Sequence, residues 1–416
     1  MTVVDMHPIK VAPLDGIRVI DMTRVIAGPL ATQTMGDLGA NIIKIERPGE
    51  GDDSRRVGPP WMKDEHGNEL EQSTYFQSVN RNKRSLSVDF AQKEGADLIR
   101  KLAKNCDVLI ENYRPGTLAR YGIGYDDLKQ INPRLIYCAI SGFGQTGPYA
   151  GRSGYDYLAQ AMAGVMNVTG YPDGAPGGGP LRVGIPLADT LTGLQAVIGV
   201  MAALRFRDQS GKGQFIDVSL FESQFAAMLN PSSSWLNAGA EIGRTGNDHP
   251  SAAPYGVYPV DDGFILVATF NDREFGRLAR VLGHPEWVDD ERFAKNGARV
   301  ANRAALKQAM NEALKGHTKA EWVQILNDAT VSCGPINALK DLETDPHVIA
   351  RDGIVELVHP TLGKIRSPAA PFRLSESPAV YRHAPPLVGE HSRDVLSEVL
   401  GLDEASLDAL SARGII

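Results

Sequence analysis

The chain has 416 residues, 43% of them hydrophobic and 22% charged, with a formal net charge of −7. That balance excludes a disordered chain and a general nucleic-acid binder, and the length suffices for two or three compact units with sizeable cores. Cys106, Cys138 and Cys333 lie far apart in apolar surroundings without metal-ligand spacing, and read as reduced thiols rather than a disulfide framework.

Residues 1–8 lack a basic region leading into an apolar core, and no apolar run of about 18 residues stands out, so a cytoplasmic protein with no membrane partner is expected. Residues 16–21 form a short β-branched run, 27–39 follow with helical periodicity ending on Gly39, and 41–46 form a second strand. This strand, helix, strand unit recurs downstream. Residues 95–104 and 125–131 read as helices, and 108–111 and 135–141 as strands, which predicts an α/β doubly wound parallel sheet. Ligands of such sheets collect at the carboxyl ends of the strands, here the loops after Asp21, Glu46, Glu111 and Ser141.

The 150s to 180s are rich in turns, and a long Ala- and Leu-rich helix then begins near Asp189. A strand at 213–219 and a helix at 220–229 follow. Residues 230–255 read as irregular, 256–268 as a hairpin, and 272–282, 303–314 and 319–329 as helices. Strands at 354–358 and 364–367 and two short helices close the chain. The expected division is a large domain over 1–224, a smaller α+β domain over 225–330, and a return to the large domain over 331–416.

Gly142, Gly144 and Gly147 match a dinucleotide-binding glycine spacing after a strand. However, Pro148 and further loop follow instead of a helix, and no acidic residue ends a second strand about 20 residues on, so the segment reads as a tight loop. Three cationic loops are more informative: Lys44 with Arg47, Arg81 with Lys83 and Arg84, and Arg114 with Arg120. On one edge of a parallel sheet they would suit a multiply phosphorylated ligand, bound rather than hydrolysed, since no Walker lysine motif is present. The nine histidines show no metal spacing, no Gly-x-Ser-x-Gly elbow occurs, and no metal is expected. Asp189 itself has two readings, a helix N-cap or a nucleophilic carboxylate.

Taken together, residues 14–21 (LDGIRVID), 27–29 (AGP), 38–48 (LGANIIKIERP), 82–85 (NKRS), 111–116 (ENYRPG), 141–148 (SGFGQTGP), 386–391 (PLVGEH) and the stretch around Asp189 make the chain resemble the class III coenzyme A transferases along nearly its whole length. The resemblance implies a Rossmann-like large domain assembled from both ends of the chain, an inserted small domain, and an interlaced homodimer. It implies an acyl-CoA thioester as substrate, with no tightly bound cofactor. Asp189 falls on the family's nucleophile, which works through aspartyl anhydride and aspartyl-CoA thioester intermediates. A helix start would keep such a carboxylate ionised. The family's CoA contacts fall on Arg47, Lys83, Asn112, Thr117, Arg120, Tyr121, Ser141 and Phe143. Arg47, Lys83 and Arg120 would take phosphates, and Tyr121 would stack on adenine.

Gly177 to Gly179 read either as a cover over the site or as a linker. Two departures argue against oxalate as acceptor: Ile26 stands where formyl-CoA members carry a Gln, and residues 247–255 lack their run of four glycines. The family also contains α-methylacyl-CoA racemases, whose catalytic His precedes an Asp, and the corresponding pair here is Tyr155 and Asp156. A tyrosine is no base near neutral pH, so transfer is favoured over racemisation, with a non-catalytic CoA-binding protein as a third reading. Succinyl-CoA as donor and a small dicarboxylic acid as acceptor are expected, with Arg152 or Arg182 gripping the second carboxylate.

Overall fold

The computed structural model describes residues 11–64 and 66–416, so residues 1–8, read above for a leader, lie outside the described residues. The chain divides into two compact units. One runs to Ala163, resumes over Val183–Met228 and again over Ile349–Ile416; the other takes Gly164–Arg182 and Leu229–Val348. The second unit is therefore longer than the expected 225–330.

The first unit is built on six strands: β1 (Arg18–Met22), β2 (Asn41–Glu46), β3 (Lys83–Ser87), β4 (Val108–Glu111), β5 (Ile136–Ser141) and β6 (Phe215–Ser219). They form one parallel sheet in the order β3-β2-β1-β4-β5-β6, the doubly wound arrangement in which the winding reverses between β1 and β4. Its helices are α1 (Ala27–Asp37), α2 (Lys93–Lys104), α3 (Tyr125–Ile131), α4 (Asp156–Met162), α5 (Leu187–Ser210) and α6 (Leu220–Ala226).

Period-two alternation sends Val19, Ile42, Val108 and Ile136 to the face covered by α1 and α5. Ile20, Ile43, Leu86 and Leu109 go to the face covered by α2 and α3. Burying one such side chain is worth about 1.5–3 kcal/mol, so both faces specify the register. By length and composition α5 could cross a membrane, although polar residues interrupt it; its buried residues Ala188, Ala196, Val200 and Ala203 belong to the core of this unit. Close approach to α1 requires Gly193, where a Cβ would lie 2.6 Å from the Ala27 carbonyl oxygen. Asp189 is thereby set beside the start of α1.

The second unit carries α7 (Leu229–Ala238), strands β7 (Tyr255–Val260) and β8 (Gly263–Ala268), helices α8 (Asp272–Val281), α9 (Arg303–Ala313) and α10 (Lys319–Asp328), and β9 (Ser332–Pro335). β9 pairs antiparallel with β8 in a β9-β8-β7 sheet over a core that includes Ile265, Phe275, Leu306 and Trp322. That pairing is why the segment after 330 stays with the small unit. α7 buries none of its residues, and its Asn-Pro-Ser-Ser-Ser sequence gave no helical signal.

Returning to the first unit, β10 (Ile354–His359) and β11 (Gly363–Pro368) form a hairpin, followed by α11 (Ser392–Leu400) and α12 (Glu404–Ala412). Residues 380–392 run along β3: the Asn82 N–H donates to His383 O, the His391 N–H to Ser85 O, and the Ser87 N–H to Ser392 Oγ.

Candidate active site

The site forms where the loops after β1 and β4 part. In the first of these, Val25 adopts φ +69°, the left-handed region that a β-branched residue occupies only under strain, at a cost of about 1–3 kcal/mol. Buried side chains hold it there. Lys44 Nζ donates to Thr23 O at 2.8 Å, the Asn112 amide accepts from Arg24 N–H at 2.9 Å and donates to Arg24 O at 2.8 Å, and Asp52 Oδ1 accepts from Val25 N–H at 3.1 Å. Lys44 and Asp52 form a fully buried ion pair of 2.8 Å. Burial works to raise the Asp52 pKa, but Lys44 and Ser54 hold it down at about 2.

Two cavities open on this loop, and Arg24, Asp53 and Tyr113 line both. The first, of about 270 Å³, is lined by Arg47, Thr117 and Tyr121 together with Phe90. The second, of about 450 Å³, holds Asp189 with Asn112, Arg114, Ser141, Arg152, Tyr155 and Asp156.

Asp189 is the third residue of α5 and makes no side-chain cap, which corrects the N-cap reading. Its backbone N–H instead donates to Asp156 Oδ2 at 3.0 Å, while Asp156 Oδ1 accepts from Gln160 Nε2 at 2.6 Å. Burial, and then the charge of Asp156, push the Asp189 pKa up to about 7. Desolvation and like charge thus act against the helix start, which was expected to keep this carboxylate ionised. Near neutral pH a substantial fraction is ionised, in a partly dry pocket, which suits a carboxylate nucleophile.

The glycine loop after β5 serves packing. A Cβ on Gly142 would lie 2.4 Å from Gly154 Cα, so the segment carrying Arg152 to Asp156 crosses directly over the loop and joins the Asp189 cavity. Tyr155 stands 74% exposed at that cavity.

Of the residues expected to contact CoA, Arg47, Thr117 and Tyr121 come together in the smaller cavity, and Asn112 and Ser141 line the larger one. Asn112 also clamps Arg24, and Ser141 Oγ accepts from Gly144 N–H. Lys83 is a correction. It is fully buried, donating to Pro29 O and Asn80 Oδ1 at 2.9 Å each and pairing with Asp21 at 3.1 Å, so it holds the interior together and reaches no ligand phosphate. Burial draws its pKa down to about 8 despite the attraction of Asp21.

The other cations of that segment are structural too: Arg81 forks onto Asp37, and Arg84 onto Glu398. The reason is topological, because they stand at the amino end of β3, opposite the ligand edge. Arg120 lies exposed in the turn at Leu118–Tyr121, and Phe143 packs against Tyr149 and Phe221; neither lines the two cavities. Gly177 to Gly179 and Arg182 belong to the second unit, where Tyr171 and Gly178 form an isolated bridge. Among the described residues no cluster of His, Cys, Asp and Glu could hold a metal, and the three cysteines are unpaired.

Residues 14–392 match the family model for CoA-transferase family III. The chain belongs to that family. It is 41% identical over 404 residues to succinyl-CoA:glutarate CoA-transferase of Mus musculus, covering 97% of this chain and 90% of the relative. It is likewise 41% identical over 392 residues to succinate–glutarate CoA-transferase of Agrobacterium fabrum, covering 94% and 97%. Among solved structures, a CAIB/BAIF family protein from Brucella suis superposes with a TM-score of 0.84 at 41% identity, covering 93% of this chain and 99% of the other. As a family III CoA-transferase, the protein transfers CoA between acids and takes CoA thioesters as substrates. Arg24, Asp52 and Tyr113, which line these cavities, are residues that the sequence did not single out. Asp156 stands beside Tyr155 as the counterpart of the racemase pair, but its bond to Asp189, which spans 33 residues, was not foreseen.

Proposed function

We propose that this CoA-transferase moves CoA from succinyl-CoA to a small dicarboxylic acid, with Asp189 as the nucleophile. The observation that carries the reading is the adjacency of two cavities that share Arg24, Asp53 and Tyr113 in their walls, with Asp189 in one and Arg47, Thr117 and Tyr121 in the other. CoA would lie with its phosphates toward Arg47 and its adenine toward Tyr121, bringing the thioester to Asp189. The named activities of the relatives support the acids chosen.

In the proposed cycle the Asp189 carboxylate attacks the thioester carbonyl, the C–S bond breaks, and CoA thiolate leaves a mixed anhydride. The thiolate then attacks the aspartyl carbonyl, releasing the donor acid and leaving an aspartyl-CoA thioester. The acceptor carboxylate reverses both steps: it displaces thiolate to form a new anhydride, and thiolate takes the acceptor acyl group and frees Asp189. Asp156 holds the Asp189 backbone fixed throughout.

We also read the protein as a cytoplasmic homodimer, interlaced as the family resemblance implies. Leu194, Ile198 and Met201 form an exposed apolar stripe on α5, which a second copy would cover, and unpaired Cys106, Cys138 and Cys333 suit a reducing compartment.

Incubation with succinyl-CoA and a panel of dicarboxylic acids, followed by mass spectrometry of the CoA products, tests the reading. New acyl-CoA species are expected, and hydroxylamine added with donor alone should convert Asp189 to a hydroxamate. Absence of transfer to every acid, or a hydroxamate elsewhere in the chain, would overturn it.

A further inference from the structure

We propose that Arg152 recognises the distal carboxylate of both the donor acyl group and the acceptor acid, and so sets the dicarboxylate selectivity of the enzyme; this rests on the reading of Asp189 given above. In that cycle the donor and acceptor acyl carbons are bonded in turn to the same Asp189 carboxylate. Their tails therefore occupy one subsite in turn, and one residue can select both.

The cavity around Asp189 offers three guanidinium groups, Arg24, Arg114 and Arg152. Arg24 is committed: it pairs with Asp53 at 2.9 Å, lies over the Tyr113 ring, and faces the CoA groove as well. Arg114 is tied to Ser153 Oγ. Arg152 stacks on the Tyr149 ring, its guanidinium carbon 3.9 Å from the centroid, and among the described residues no carboxylate lies within ion-pair distance of it. Stacking fixes the plane of the fork and leaves its edge N–H groups to form paired bonds with a carboxylate.

The need for such a cation follows from the other side of the pocket. Asp156 and Asp189 already repel one another there, and a second substrate carboxylate would add a third negative charge. The crossing of Gly142 and Gly154 anchors the backbone two residues from Arg152, so the guanidinium is presented from a fixed support.

The test compares the unaltered enzyme with Arg152→Gln and Arg152→Lys on two matched pairs, succinyl-CoA against butyryl-CoA as donors and glutarate against pentanoate as acceptors. Arg152→Gln should lower kcat/KM for succinyl-CoA and for glutarate in parallel, by about 10- to 100-fold. The monocarboxylic partners should change far less, and Arg152→Lys should recover part of the loss. A parallel loss on all four substrates would mark a structural role and overturn the proposal, as would a loss confined to donor or to acceptor, or no loss. Failure of the unaltered enzyme to transfer CoA to any dicarboxylate would instead overturn the underlying reading.

Discussion

The Asp156 carboxylate accepts a hydrogen bond from the backbone N–H of Asp189 at 3.0 Å, so two acids that repel through space are joined through the main chain at the start of α5. A free helix N–H is thereby satisfied from outside the helix, and the Asp189 side chain is spared capping work. The same contact keeps a negative charge beside Asp189, which adds to the effect of burial in raising its pKa.

The first consequence is a pH dependence. In the proposed cycle Asp189 attacks as the carboxylate, and burial and Asp156 push its pKa up to about 7, so kcat/KM for succinyl-CoA should rise with pH through an inflection near that value. In Asp156→Asn the inflection should move to lower pH, since the neighbouring charge is gone while an oxygen acceptor remains. Initial rates at saturating acceptor across pH 5 to 9, a span chosen to bracket that value, measure it.

A stability test of the same residue has the opposite sign from most acids. The fold raises the Asp189 pKa, so the folded state binds more protons than the unfolded chain between the ordinary value of 3.8 and about 7, and stability falls as pH rises through that window. Asp189→Asn should therefore raise Tm at pH 8 by about 1–4 °C, leave it nearly unchanged near pH 4, and abolish turnover. Thermal denaturation at the two pH values checks the first part.

Lys44→Met should cost about 3–5 kcal/mol in denaturant unfolding, because it strands the buried Asp52 carboxylate without its partner. Pairing it with Asp52→Asn should recover part of the stability. Turnover should stay low in the pair, since the lost Lys44 bond to Thr23 O also holds the strained loop.

Two cations treated alike by sequence should separate in kinetics. Arg47→Ala should raise KM for all CoA thioesters to a similar extent, about 3- to 30-fold, with little effect on Tm. Lys83→Met should lower Tm instead, because it leaves Asp21 buried and unpaired.

The strands of the large unit were legible because parallel sheets write continuous β-branched runs separated by helical periods, as in residues 41–46 and 108–111. Arg47, Thr117 and Tyr121 follow strand ends or lie in the loops that do, and the structure brings the three together around one cavity. Lys83 misled because a cationic run beside a strand looks the same whichever end it occupies; only the sheet shows that it stands at the amino edge and turns inward. Nor does local sequence reveal the left-handed Val25, which is imposed by Lys44, Asn112 and Asp52 from three other segments. The bond from Asp189 N–H to Asp156 was hidden for the same reason, since it joins a side chain to a backbone group 33 residues along the chain.

The lining of β3 by residues 380–392 has a bearing on synthesis. Asn82 and Ser87 wait for partners 300 and 305 residues downstream, and Asp89 N–H waits for Ile415 O. At about 5–20 residues per second, a ribosome needs roughly 15 to 60 s to deliver that cover. During the interval the nascent sheet carries an open flank at β3, the kind of edge on which unrelated chains pair. Completion of the first unit therefore waits on the emergence of the segment that carries His391 and Ser392.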